Sequence, residues 1–212
     1  GGGGQLMLVT ELMSRGSLSD VLEKKRKFLP LRLKIKIAKD ICEGLKYLHQ
    51  IKPPIIHRDI KPANILIAED WTCKIGDLGV STFRKNNDLA LETVGSPIYI
   101  APEVILGHKL KETADCYSLG VLLCDLFGPC KPYSQVEFLK YETPSQLLFA
   151  VANEGLRPII PEEMPAILES LVYECLMADP DLRPSAHEIC VRLKRVKSKE
   201  KKEKGSEGKA SS

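Results

Sequence analysis

The sequence predicts a mainly α fold (α+β overall), and three observations carry that expectation. Over Leu31 to Gln50, the residues Leu33, Ile37, Ile41, Leu45 and Leu48 fall three or four apart and form one apolar stripe at helical spacing. Two short apolar stretches, Ile65 to Ala68 and Thr72 to Gly76, flank the turn Glu69-Asp70-Trp71 and read as a hairpin. Beyond residue 110 helical patterns dominate: Ala114 to Leu123, Thr143 to Asn153, Met164 to Met177 and Ala186 to Arg195 read as core-packing helices.

Composition bounds the rest. A chain of 212 residues, 43% hydrophobic and 28% charged, is an ordinary globular chain of one domain or slightly more. Such a length buries a core without staples. No run approaches the roughly 18 consecutive apolar residues of a membrane span. Gly1 to Gln5 show no basic stretch followed by an apolar one, so no secretory signal is visible. The seven cysteines are odd in number, scattered and without a C-x-x-C pair. That suits thiols in a reducing compartment, so the expected location is the cytoplasm, with the nucleus possible. The net charge of +3 conceals a basic end: residues 192–212 hold nine Lys or Arg against three Glu, which leaves 22 basic and 25 acidic residues before them. A body with that balance is not a nucleic-acid-binding domain on charge grounds.

Taken in order, residues 1–4 are four glycines, a linker or truncation junction with no G-x-G-x-x-G pattern. Gln5 to Thr10 reads as a strand, and Glu11 to Gly16 as the turn that leaves it. Ser17 is placed to cap the helix that follows, with Asp20 in the capping-box position. On the Leu31–Gln50 helix, Lys34, Lys36, Lys39 and Lys46 fall mostly off the apolar stripe and predict a solvated face. Pro53-Pro54 ends that helix. Residues 80–100 are polar, sparse in pattern and expected to be mobile, while residues 195–212 form a low-complexity basic tail expected to be disordered.

The chemistry concentrates in His57-Arg58-Asp59-Ile60-Lys61-Pro62-Ala63-Asn64-Ile65-Leu66. An Asp five positions before an Asn, with a Lys between, suits phosphoryl transfer. The Asp can accept a hydroxyl proton, the Asn carbonyl can coordinate magnesium on nucleotide phosphates, and the Lys can neutralise the transferring group. Taken alone, the stretch also suits an ordinary polar loop. The hairpin then delivers Asp77-Leu78-Gly79, a second carboxylate beside that loop. The chain resembles the protein kinases, whose catalytic loop reads H-R-D-x-x-x-x-N and whose metal-binding triplet is usually D-F-G. Gly95-Ser96-Pro97-Ile98-Tyr99-Ile100-Ala101-Pro102-Glu103 is similar to that family's G-T-x-x-Y-x-A-P-E, and Leu182-Arg183-Pro184-Ser185 to its distal R-P-S.

The resemblance implies a protein-kinase-like large lobe over residues 5–194, a helical bundle whose short β-hairpin carries the catalytic and metal-binding loops. It implies a Ser/Thr-specific enzyme that transfers the γ-phosphoryl group of ATP to protein substrates with Mg²⁺, similar to the tyrosine-kinase-like Ser/Thr group. Asp59, Lys61 and Asn64 would be catalytic, and Asn64 and Asp77 would hold the metal. Thr10 would sit behind the adenine, backbone groups of Glu11 and Met13 would bond its edge, and Leu66 would face it. Ser96 would link Asp59 and Lys61. Glu92 would give Arg58 a permanent anion partner, with phosphorylated Thr93 as the rival. Asp115 would cap the turn at His57 and Arg58, and Arg183 would pair with Glu103. Only ten residues precede Glu11, too few for a Gly-rich loop, a V-A-I-K lysine and its helix glutamate. The expectation is that this chain alone transfers phosphate negligibly and exposes an apolar patch that includes Leu66. It is then either part of an active kinase or a truncated pseudokinase that serves as a binding module.

Overall fold

The computed structural model describes residues 9–77, 97–135 and 138–196. Its first helix, α1 (Leu18–Lys25), begins in a capping box: Ser17 Oγ accepts from the Asp20 amide while the Asp20 carboxylate accepts from the Ser17 amide. Gly16 turns the chain into this helix at φ +73°, a conformation that a side chain would strain. A short 3-10 turn, Arg26–Phe28, then leads to α2 (Leu31–Gln50), with Pro30 at its N-cap.

The molecule is built around α2. Ile35, Ala38 and Cys42 are buried as well as Ile37, Ile41, Leu45 and Leu48, because α4, α7 and β2 cover this helix from different sides. Leu33 is only partly buried at the margin of the core. The expected solvated face needs correction. Lys34 Nζ donates to Phe127 O at 3.4 Å, Lys36 Nζ to Trp71 O at 2.7 Å, and Lys39 Nζ to Val196 O at 3.2 Å. Each lysine uses its ammonium group to satisfy a carbonyl of a neighbouring segment.

Strands β1 (Ile65–Ile67) and β2 (Cys73–Ile75) form the antiparallel hairpin, in the register Ile65 with Ile75, Leu66 with Lys74 and Ile67 with Cys73. Helix α2 holds its tip twice: Lys36 takes Trp71 O, and Asp40 accepts from the Cys73 amide at 3.1 Å. Along the other edge of β1 lie residues 15–17, where Arg15 N donates to Ile67 O and Ile67 N to Gly16 O. Val9 and Thr10, the described end of the strand expected over Gln5 to Thr10, lie in no strand, since no described strand runs beside them to supply a ladder. Gln5 to Leu8 fall outside the described residues.

The second half is helical: α3 (Pro102–Ile105), α4 (Thr113–Phe127), α5 (Pro144–Asn153), α6 (Ala166–Cys175) and α7 (Ala186–Lys194). Helix α4 is buried from Ala114 to Phe127. It meets α6 so closely at Gly120 that a Cβ there would lie 2.9 Å from Cys175 Cβ. The helix expected from Met164 is trimmed because Pro165 takes the N-cap position. Capping boxes Thr143–Gln146 and Ser185–Glu188 start α5 and α7 where the sequence predicts. Among the described residues no helix is long and apolar enough to cross a membrane. Lys197 to Ser212, most of the expected disordered tail, lie outside the described residues.

Candidate active site

The loop between α2 and β1 is held from below by one buried carboxylate. Asp115, in the first turn of α4, accepts from His57 N at 2.8 Å, from Arg58 N at 2.8 Å and from His49 Nε2 at 2.9 Å. Arg58 has φ +70°, a left-handed conformation that costs a residue with a Cβ roughly 1–2 kcal/mol. Charge-assisted bonds contribute about 1.5–3 kcal/mol each, so the Asp115 bonds offset that strain. The buried His57 ring reaches the other half of the hairpin, with Nε2 2.8 Å from Gly76 O. A carbonyl only accepts, so Nε2 carries the proton and Nδ1 is left to accept the Asp59 amide at 3.3 Å.

Asp59 stands half-exposed above this base. Its Oδ2 receives Lys61 Nζ at 2.8 Å and Asn64 Nδ2 at 2.8 Å, and Asn64 Nδ2 also bonds Asp59 O at 2.7 Å. The 3-10 turn Pro62–Asn64 folds Asn64 back over Asp59, and both Lys61 and Asn64 are buried. Two oxygens are left without a hydrogen bond among the described residues: Asp59 Oδ1 and Asn64 Oδ1. Asp77 arrives beside them because Gly76 N donates to Asn64 O at 2.8 Å, one step beyond the Ile65–Ile75 pair. Asp77 is exposed and has φ +57°. Two left-handed residues with side chains therefore flank one polar loop. Strain of this kind persists where surrounding contacts fix it, and it clusters at functional sites.

The remaining expected residues are dispersed around this centre. Glu11 is exposed with its carboxylate on Lys74, Met13 O accepts Gly16 N, and Thr10 is exposed. No hydrogen bond among the described residues uses Glu11 O or Met13 N. Leu66 corrects the expected apolar patch: it is half-buried, with its side chain packed on Gly76, and the exposed apolar residues near the turn are Val9 and Leu12, 88% and 87% exposed. Leu78, Gly79, Glu92, Thr93 and Ser96 lie outside the described residues, and so do the contacts expected of them with Arg58, Asp59 and Lys61.

Two buried ion pairs anchor the chain after residue 96. Arg183 grips Glu103 bidentately at 2.7 Å and 2.7 Å, and also bonds Met177 O at 2.8 Å. Sequence reasoning missed the second anchor. Tyr99 OH donates to Asp125 Oδ2 at 2.6 Å, and Arg26 Nη2 bonds Asp125 Oδ1 at 2.8 Å. Burial, reinforced by the Asp125 charge, pushes the Tyr99 hydroxyl far above its ordinary range, so it stays a donor. The available signal was a lone Asp in the apolar run Val121 to Phe127 of a buried helix, which needs a cationic partner.

Comparison with known proteins places this arrangement in a family. The profile described as "Protein kinase domain" matches residues 3–192. The chain is 34% identical over 193 residues to the probable serine/threonine-protein kinase drkA of Dictyostelium discoideum, covering 91% of this chain and 29% of that protein. It is 37% identical over 191 residues to the serine/threonine-protein kinase STY17 of Arabidopsis thaliana, covering 90% and 32%. It is 36% identical over 189 residues to the dual specificity protein kinase shkB of Dictyostelium discoideum, covering 87% and 28%. The chain thus spans less than a third of the length of these relatives. A match along nearly all of the chain, running through both the Asp59 loop and the Arg183–Glu103 clasp, makes it a member of the protein kinase family.

Proposed function

We propose that the protein is a serine/threonine kinase that transfers the γ-phosphoryl group of ATP to hydroxyls of protein substrates. The observation that carries this reading is the use of a single Asp59 oxygen: Lys61 and Asn64 both bond Oδ2, which leaves Oδ1 without a partner among the described residues and available to an incoming hydroxyl. Asp59 then orients that hydroxyl and accepts its proton as the phosphoryl group moves. Lys61 balances the charge of Asp59 beforehand and faces the transferring group. Asn64 Oδ1 and the Asp77 carboxylate fit a magnesium ion, since both are hard oxygen donors with no competing partner among the described residues. Among those residues no group of three or more His, Cys, Asp or Glu forms a metal cage, which suits an ion held chiefly by phosphates and water. Bound magnesium supplies charge neutralisation on the phosphates.

Glu11 O and Met13 N, without a hydrogen bond among the described residues, are the backbone groups offered to an adenine edge, with Leu66 against its face. Arg58, exposed above its strained turn, would take an anion from Glu92 or from phosphorylated Thr93. Seven free cysteines suit a reducing compartment, the cytoplasm in this reading. The test uses the native protein that contains this chain, assayed for transfer from Mg-ATP to Ser/Thr peptides. Asp59→Asn should lower the rate by about 10²–10⁴-fold while leaving the folding transition in place. Equal rates for variant and wild type would end the proposal.

A further inference from the structure

Helices α2 and α7 pack against each other in the core, and each contributes one cysteine to the contact. Cys42 Sγ and Cys190 Sγ lie 2.8 Å apart, the only thiol pair in contact among the described residues. We propose that Cys42 and Cys190 form a peroxide-oxidisable dithiol that closes to a disulfide and staples α2 to α7. The pair plays no part in the Asp59 site, and the inference does not depend on phosphoryl transfer.

Several features separate this pair from the other five cysteines. Both are buried, Cys42 at 0% and Cys190 at 3% exposure, so Cys190 lies marginally nearer the surface. Glu43, on the same turn of α2, bonds both Lys46 and Lys194 and gathers these two cations beside Cys190. The Cys42 hydrogen bond holds the Cys190 thiol below its ordinary range; burial and the Glu43 charge oppose it, and Lys46 and Lys194 assist it. The Cys42 thiol is pushed up by its bond to Cys190 and by burial, so Cys190 is the more acidic of the two. By contrast, burial pushes Cys73, Cys116 and Cys124 up to about 12, which keeps them inert at neutral pH.

The chemistry balances with hydrogen peroxide as oxidant. The Cys190 thiolate attacks one peroxide oxygen, the O–O bond breaks, and the departing hydroxide leaves as water with one proton taken up. Cys190 is then a sulfenic acid. Cys42 sulfur attacks the Cys190 sulfur, the S–O bond breaks, and its oxygen leaves as a second water carrying the Cys42 proton. Two thiols lose two electrons to one peroxide. Reduction by an ordinary dithiol reverses the step.

The native protein, treated with a few equivalents of hydrogen peroxide, is then denatured, alkylated and digested for peptide mass mapping. The expected product is a single linked peptide pair containing Cys42 and Cys190, abolished by reductant. Oxidised protein should melt roughly 5–15 °C higher than reduced protein, because the bond closes a long loop. Cys42→Ser and Cys190→Ser should each remove both effects. The inference fails if the map of wild-type protein shows both cysteines alkylated while others are oxidised. It fails equally if Cys42 is linked to Cys116 or Cys175, or if Cys190 stops at the sulfinic acid. The map of wild-type protein decides the matter even if a variant does not fold, and it reads no kinase activity.

Discussion

Asp115 and Asp59 are both carboxylates of one network, yet substitution of each tests a different link. Asp115 faces three donors at once, from His57, Arg58 and His49, and is buried. In Asp115→Asn an amide NH₂ replaces one acceptor and confronts at least one of those donors. The loss of charge-assisted bonds and the stranded buried donor should cost on the order of 3 kcal/mol. That lowers Tm by roughly 6–12 °C for a chain of this size, a shift that calorimetry reads directly. An unchanged Tm would mean that the left-handed turn at Arg58 supports itself. Asp59→Asn should behave in the opposite way. Its side chain is half-exposed and its partners Lys61 and Asn64 both donate, so one amide oxygen retains part of the network. The expected stability change stays under about 1 kcal/mol while phosphoryl transfer falls, which separates a reacting group from a positioning one. His57 belongs with Asp115, since its ring bonds Gly76 O and the Asp59 amide and offers nothing to a substrate.

Helices α1, α5 and α7 start in short polar codes, and one of them makes α7 sensitive to acid. Ser185 Oγ accepts from the Glu188 amide, while the Glu188 carboxylate accepts from Ser185 N and Oγ, both at 2.8 Å. The Ser185 backbone bond, followed by its side-chain bond, holds Glu188 below its ordinary value of 4.5. Because the folded value is depressed, the stabilisation is fully present above pH 4.5 and is lost as pH falls through the lower folded value. Glu188→Gln should therefore flatten the acid limb of a stability-versus-pH curve and change little at pH 7, where Gln still accepts from the Ser185 amide. Ser185→Ala should cost about 1 kcal/mol at pH 7 and less in acid, where the bond from Ser185 Oγ to the ionised Glu188 is already lost. If Glu188→Gln left the acid limb unaltered, the box would be a structural coincidence and not an acid-labile clasp. The same helix carries Cys190 and Arg192, whose bidentate bond to Glu174 ties α7 to α6. A loosened start of α7 would thus be felt in the packing of α2 and α6 as well.

Much of the architecture was readable in the chain because its periodicities are long and its motifs are ordered. The stripe of Leu31 to Gln50 named its helix at both ends, and the Glu69-Asp70-Trp71 turn named the hairpin. What escaped depended on distant partners. No local pattern showed that Lys34, Lys36 and Lys39 would reach carbonyls at Phe127, Trp71 and Val196, or that Asp125 would gather Arg26 and Tyr99 across about 100 and 26 residues. One of these non-local bonds, from Lys36 to Trp71 O, joins the hairpin to the helical core, and it leads to a prediction about cooperativity. Trp71, the single tryptophan, sits at the hairpin tip under the Arg15 guanidinium, 4.5 Å from its ring centroid, with its carbonyl on Lys36 of α2. Gly44 of α2 is packed so near β2 that a Cβ there would lie 3.2 Å from Ile75. The hairpin has only two strands and cannot persist without the surfaces that cover it. Trp71 fluorescence and far-ultraviolet circular dichroism should therefore lose signal at the same urea midpoint with the same slope. A tryptophan transition at lower urea would show that the hairpin opens while the α2–α4–α7 core stays folded. The loop that holds Asp59, Asn64 and Asp77 would then owe its geometry to the hairpin's own turns, because the helices beneath it would remain intact when that geometry was lost.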